Sequence, residues 1–223
     1  MNATQPLRLL ITAGATREPI DDVRFVSNVS SGGTGAALAA ALAARGHRVT
    51  LLRGQGSVAP ANLPTLDNAF FGSAEDLRER LAASLAAETF DAVIMCAAVA
   101  DYRPVSLVEG KIRSDADSLT IRLVRNPKIL PSIKAMASPS PLVIGFKLTS
   151  RAEASAQQAA VDAQFEAGGV DAVVHNDLAE IRRCAVHPFH LYRTRGDCTR
   201  LYGTGNLALS LAALIETRRK RLQ

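Results

Sequence analysis

Tryptophan is absent from this 223-residue sequence, and aromatic residues make up only 4% of it. Proteins that hold single-stranded nucleic acid stack its bases on aromatic side chains. So small a supply argues against that role, and no nucleic acid partner is expected. Cysteine is also scarce. Cys96, Cys184 and Cys198 are odd in number, and their spacing fits no disulfide framework, zinc site or redox pair. A reducing, cytoplasmic setting is therefore expected. No apolar run reaches 18 residues and no charged-then-apolar leader opens the chain, so neither a membrane span nor a secretion signal is expected. The histidines at 47, 175, 187 and 190 show no ligand spacing, and Pro188 breaks any shared helical face for the last two; no metal site is expected from them. No Walker string and no Gly-x-Ser-x-Gly elbow occurs, which argues against a P-loop phosphotransferase and an α/β-hydrolase.

What is present is globular: 48% apolar and 21% charged residues, enough for one α/β domain with a core of ordinary size. The net charge of +5 favours anionic ligands such as phosphates. Lysine supplies only Lys111, Lys128, Lys134, Lys147 and Lys220 of the 26 basic residues. The Arg218-Arg219-Lys220-Arg221 tail reads as a solvated surface.

Apolar runs predict strands at Leu7 to Ala13, Val49 to Leu52, Ala92 to Ala98, Leu142 to Phe146 and Val170 to Val174. Helical stretches at Ala36 to Ala44, from Ser73 through Ala87, and at 151–167 fall between them; Ser73 with Asp76 three residues on has the form of an N-terminal cap. The rhythm predicts a Rossmann-like, doubly wound, mostly parallel sheet, in which ligands sit beyond the carboxyl ends of the strands. Those ends are Ala13-Gly14 and Ala97 to Asp101. Residues 14–31 and 101–118 read as two long loops, and loops of that length are commonly functional. Leu119 to Val124 alternates like a half-buried strand, and a short helix is expected near Ile129 to Met136. Arg195-Gly196-Asp197 predicts a hairpin between His190 to Arg193 and Thr199 to Tyr202, before a last helix from Asn206 to Arg219.

A dinucleotide fingerprint does not fit. Gly14 and the Gly32 to Gly35 cluster lie 18 residues apart, whereas the fingerprint packs its glycines into one turn. The second strand ends at Arg53 rather than at an acid. Two segments carry more promise. Ser27 to Gly35 offers an amide, hydroxyls and backbone N–H groups at a helix start, which suits an anion as well as a simple serine cap. Ala97 to Pro104 places small residues and Asp101 at a strand end, followed by Lys111, which could neutralise phosphate charge or be a solvated loop lysine.

Together the strings Thr12 to Asp21, Val23-Arg24-Phe25, Ser27-Asn28, Ser30-Ser31-Gly32, Ala97 to Tyr102, Lys111-Ile112, Asn126-Pro127, Gly145-Phe146 and Asn176-Asp177 resemble, in order, the phosphopantothenate–cysteine ligases. The resemblance implies a single ligase domain over 1–223 with a flexible flap at 101–118. It implies Mg²⁺ with CTP or ATP as co-substrate, an acyl-nucleotide intermediate, and a homodimer. No flavin is expected, because no flavin domain precedes the motifs. By position it implies catalytic roles for Asn28 and Lys111. It implies nucleotide contacts at Met95, Cys96, Ala97, Asp101, Lys111, Pro127, Lys128, Ile129, Leu130 and Phe146. Substrate contacts would come from Gly14, Thr16, Asn28, Ser30, Ser31, Gly32 and Ala98. The sequence departs from the family where Gly33 stands for a basic residue, where Lys128 stands for an acid, and in 151–171, where bacterial members place lysines. Lys128 and Lys147 are expected to replace that charge. A diverged ligase for another acid and amine, or a non-catalytic nucleotide-binding subunit, stays open as an alternative.

Overall fold

The computed structural model describes residues 5–222. Its centre is an eight-stranded sheet. An interior strand is β1 (Arg8–Ala13), an apolar run that is buried from Leu9 onward because both faces of the sheet are covered. To one side lie β4 (Arg48–Gly54) and β5 (Leu66–Phe71); to the other lie β6 (Ala92–Met95), β9 (Leu142–Thr149) and β10 (Ala172–Asp177), all parallel. Counting only these parallel strands, the spatial order is 3-2-1-4-5-6. The antiparallel hairpin β11 (Pro188–Tyr192) and β12 (Cys198–Tyr202) extends the β10 edge.

Side chains alternate across each strand, so two apolar layers form. On one face Leu9, Ile11, Leu51, Ile94 and Ile144 pack against α1 (Gly33–Ala43) and α5 (Thr204–Leu222) through Leu38, Leu42, Leu207 and Leu211. On the other, Leu10, Leu52, Val93 and Val143 pack against α2 (Ala74–Ala87) and a 3-10 helix (Leu130–Met136), while Val173 meets Val161 of α3 (Ala154–Glu166). Each fully buried leucine contributes about 1.5–3 kcal/mol. Ser73 caps α2 as its spacing predicts, its hydroxyl accepting from the Asp76 N–H at 3.2 Å. The predicted doubly wound sheet with a C-terminal hairpin and helix is the fold observed.

Several local expectations are corrected. Residues 14–31 are not an unstructured loop: β2 (Arg17–Pro19) pairs with β3 (Phe25–Ser27) in a small antiparallel ribbon. The third strand stops at Met95, because Cys96 to Ala100 bends away to meet the loop after β1. Leu119 to Val124 is not half-buried. Leu119, Ile121 and Leu123 are exposed, and only β8 (Leu123–Arg125) pairs, with β7 (Tyr102–Pro104). The strand β5 and the short helix α4 (Leu178–Arg183) have no counterpart in the sequence reading.

Candidate functional site

In a sheet of this order the crossovers from β1 run to opposite faces. The helix after β1 covers one face and the helices reached through β6 and β9 cover the other, so a crevice opens between the carboxyl ends of β1 and β6. A cleft of ≈ 990 Å³ lies there. Its lining includes Asn28, Ser30 to Gly35, Met95 to Asp101, Asn126 to Pro131 and Phe146 to Leu148, with Ala160, Ala163 and Gln164 from α3 and Asn176 and His187 from β10 and beyond.

Three glycines shape the β1 side. Gly14 (φ 80°) and Gly32 (φ 76°) adopt left-handed backbone, and a Cβ on either would stand within 2.9 Å of the Ser57 Cβ. Gly35 lets α1 approach β1 so closely that an added Cβ would lie 2.5 Å from that of Ala13. The N-cap of α1 is Gly32 and no side chain caps it, which separates the structure from a simple serine cap. Ser31 Oγ accepts only from the Gly33 N–H, at 3.3 Å. The next N–H groups, at the positive end of the helix, stand at the cleft wall as an anion site requires.

The loop after β6 is laced to the loop after β1. Ala98 N–H donates to Gly14 O at 2.8 Å, Thr16 N–H donates to Ala98 O at 3.3 Å, and Thr16 Oγ1 accepts from the Ala100 N–H at 2.9 Å. Thr12 Oγ1 accepts from the Ala97 N–H at 3.1 Å. Asn28 Nδ2 donates to Val99 O at 3.1 Å, so its amide lies on this same loop. From the far side Asn126, nearly buried, donates from Nδ2 to Ala100 O and from its N–H to Asp101 O, both at 2.9 Å. The small residues 97–100 thus form a rigid shelf across the strand ends.

Charge in the lining is sparse. Among the described residues it comprises Asp101, Lys128 and Lys147. Lys128 Nζ donates to Asp101 Oδ1, and both side chains are largely exposed; Lys147 has no ion-pair partner among the described residues. The α3 wall is uncharged, formed by Ala160, Ala163 and Gln164. Gln164 Nε2 donates to Phe146 O at 3.4 Å, and the amide lies over Gly145, where a Cβ would come within 2.7 Å of it. Cys96 is half-buried in the cleft wall, and burial pushes its thiol pKa up to about 12. Among the described residues no three acidic, histidine or cysteine side chains cluster as a metal cage.

Of the residues singled out from the sequence, Asn28, Ser30, Ser31, Gly32, Met95, Cys96, Ala97, Ala98, Asp101, Pro127, Lys128, Ile129, Leu130 and Phe146 all border this one cleft. Gly14 and Thr16 are buried behind the shelf and act on it through hydrogen bonds. Lys111 is exposed and does not border the cleft. Sequence reasoning missed Asn176 and His187. Asn176 Nδ2 approaches His187 Nε2 at 2.6 Å; an amide N–H only donates, so Nε2 accepts and the ring proton sits on Nδ1. His187 stacks on Phe189, and burial lowers its pKa. Asn176 stands in the Asn176-Asp177 string of the resemblance without an expected contact, and His187 lies beyond α4, which left no signal.

Fold and cleft define a Rossmann-like α/β protein with an open cleft where the strand order reverses between β1 and β6. Residues 4–187 match the family described as the DNA/pantothenate metabolism flavoprotein C-terminal domain, and the chain belongs to that family. It is 43% identical over 145 residues to the coenzyme A biosynthesis bifunctional protein CoaBC of Vibrio vulnificus strain YJ016, covering 64% of this chain and 35% of that protein. It is 37% identical over 187 residues to the Escherichia coli K12 protein of the same description, covering 81% of this chain and 43% of that protein. The chain thus spans less than half the length of these relatives. Among solved structures, the C-terminal domain of CoaBC superposes with a TM-score of 0.77 at 29% identity, over 99% of this chain and 100% of that one. The DNA/pantothenate metabolism flavoprotein of Streptococcus pneumoniae shares the fold, with a TM-score of 0.85 at 22% identity over 95% and 99% of the two chains.

Proposed function

We propose that this chain is a phosphopantothenate–cysteine ligase that activates the acid with a nucleoside triphosphate, CTP or ATP. The observation that carries this reading is the convergence of separate chain segments, around Asn28, Ser30 to Gly32, Met95 to Asp101, Pro127 to Leu130 and Phe146, on one cleft at the sheet crossover. The carboxylate oxygen of phosphopantothenate bonds to the α-phosphorus as the bond from that phosphorus to the bridging oxygen breaks and pyrophosphate leaves. The cysteine amine then bonds to the acyl carbon, the nucleoside monophosphate leaves, and the amine proton passes to solvent. A carboxylate is a poor acyl donor until its oxygen becomes such a leaving group.

In this reading the start of α1 receives phosphate oxygens, and the Asn28 amide holds the acyl group against the shelf. Lys128 and Lys147 meet the triphosphate, in place of the uncharged α3 wall. Lys111 belongs to residues 101–118, read as a flap beside the site. Mg²⁺ is held in such sites mostly by phosphate oxygens with one or two carboxylates, and Asp101, the carboxylate in the lining, fits that part. Bound there it would neutralise phosphate charge. A second copy of the chain is the expected partner. Val23, Phe25, Val105, Leu107, Val108, Leu119, Ile121 and Leu123 expose apolar surface around the two small ribbons, and this is the face offered for that contact.

The test is pyrophosphate release by the purified chain with phosphopantothenate, cysteine and CTP or ATP supplied separately. Turnover with one triphosphate supports the ligase and sets its nucleotide. Turnover only with other acids points to a diverged ligase, which the uncharged α3 wall favours. Tight nucleotide binding without turnover points to a binding subunit. Mutating Lys128 and Lys147 together to Ala should raise the apparent nucleotide constant by about tenfold or more, the scale of losing charge-assisted hydrogen bonds. An unchanged constant removes both lysines from the triphosphate site.

A further inference from the structure

The ribbon β2–β3 connects the two residues that the ligase reading makes catalytic. Asn28 follows directly from the end of β3. Lys111 is docked, through its neighbours, onto the turn at the ribbon's other end. Asp22 Oδ2 accepts from the Gly110 N–H at 3.0 Å, and the Asp22 N–H donates to Gly110 O at 3.1 Å. Asp21 Oδ2 accepts from the Ile112 N–H at 3.0 Å, while Arg24 Nη1 donates both to that carboxylate oxygen, at 2.6 Å, and to Ile112 O, at 3.1 Å. The Val108 N–H donates to Ile20 O at 3.0 Å. Lys111 itself is exposed between two gripped residues.

We propose that Asp21 is a positioning residue: its carboxylate, with Arg24, clamps the Ile112 peptide on the ribbon turn and so fixes where Lys111 stands relative to Asn28. The proposal rests on the ligase reading for the part that Lys111 plays. The turn needs no such reach to be stable. Asp21 Oδ1 already accepts from the N–H groups of Val23, at 2.9 Å, and Arg24, at 2.7 Å, which closes the turn locally. The second oxygen is spent on a residue 91 positions away, and the side chain is wholly shielded from solvent. The ribbon transmits this hold because its root is fastened. Glu18 Oε1 accepts from the Ala74 N–H at the start of α2, the Arg17 N–H donates to Gly72 O, and Ser27 Oγ donates to Thr16 O. Three-residue strands make it roughly 10 Å long, a short stiff spacer between clamp and shelf. Burial alone would raise the Asp21 pKa; hydrogen bonds from Val23, Ile112 and Arg24 outweigh it and bring the value to about 2, so the clamp stays ionised at neutral pH.

Asp21→Asn tests this. It keeps an acceptor for Val23 and Arg24 but turns amide hydrogens toward the Ile112 N–H. Trypsin cuts after Lys111 and Arg113, so limited digestion without substrate reads the clamp directly. Cleavage there should quicken about tenfold or more. In the pyrophosphate assay Asp21→Asn should lower kcat, and combining it with Lys111→Ala should cost no more than Lys111→Ala alone, because the clamp acts through that lysine. Unchanged cleavage, or losses that multiply in the double variant, overturns the proposal. Asp22→Asn, at an exposed position, repeats the digestion test with a smaller expected rise should Asp21→Asn fail to fold. A wild-type chain that releases no pyrophosphate would reject the ligase reading, while the digestion result still judges the clamp.

Discussion

Asn28 gives one of its two amide hydrogens to Val99 O, which leaves the other hydrogen and the amide oxygen for a ligand and ties the side chain to the shelf. Replacing it with Ala should lower kcat for pyrophosphate release by about 100-fold, the scale of losing one aligned donor at a reacting centre, with the nucleotide constant little changed. A loss confined to that constant would assign Asn28 to nucleotide binding instead. The neighbouring Cys96 invites confusion with a reactive thiol. Its raised pKa keeps it protonated at pH 8, so a disulfide reagent should titrate the exposed Cys198 quickly and Cys96 only after unfolding. Rapid labelling of Cys96 in the folded chain would mean that its sulfur is reached from the cleft as a thiolate.

Among the elements, the approach of α1 to β1 is the most exacting. An alanine at Gly35 would push its Cβ into Ala13 Cβ and crowd the Thr12 carbonyl, neither of which is a flexible side-chain end. Gly35→Ala should therefore cost about 1–3 kcal/mol in urea unfolding, whereas Gly196→Ala, which meets nothing, should cost far less. The same elements show what a sequence can reveal. Runs such as Leu9 to Ile11 and Val93 to Met95 are apolar without break, because helices cover both faces, and they were legible as strands. The edge strand β5 was not: Asp67, Asn68, Ala69 and Phe70 are exposed, and its apolar run is only the three residues Ala69 to Phe71. The ribbon β2–β3 was hidden for another reason. Its strands are three residues long and owe their shape to Asp21, Glu18 and Thr16 reaching distant backbone, which local pattern does not encode. The cleft residues were legible through their order along the chain; their meeting, and the separation of Lys111 from them, needed the topology.

For the molecule as a whole, buried titratable groups set the response to acid. Burial lowers the pKa of His47, His175 and His187, so the folded chain keeps them neutral while the unfolded chain protonates them below about pH 6.5. Stability should begin to fall there. A second decline follows between about pH 4 and 2. Burial would raise Asp177, but hydrogen bonds from Thr149, Ala152, Ala179 and Glu180 outweigh it and hold its pKa at about 2, as the corresponding bonds do for Asp21. Their stabilisation is present above the unfolded value of 3.8 and lost as pH falls through the folded one. Urea midpoints across pH should show both declines, and Asp177→Asn should flatten the lower one. Leu107→Asp should weaken the proposed dimer at fixed concentration, read by light scattering, and an unchanged mass would move the interface off the ribbons.

The strand order also sets a timetable for synthesis. Strand β1 is made before either of its partners, which arrive late: Leu9 pairs with Val49 on one side and with Ala92 on the other. Until more than eighty further residues have been made, Leu9, Leu10 and Ile11 have an unpaired edge, and nascent chains with such edges are open to aggregation. Slowing translation before residue 92 would lengthen that exposure, and so the yield of soluble protein depends on the pace at which the middle of the chain is read.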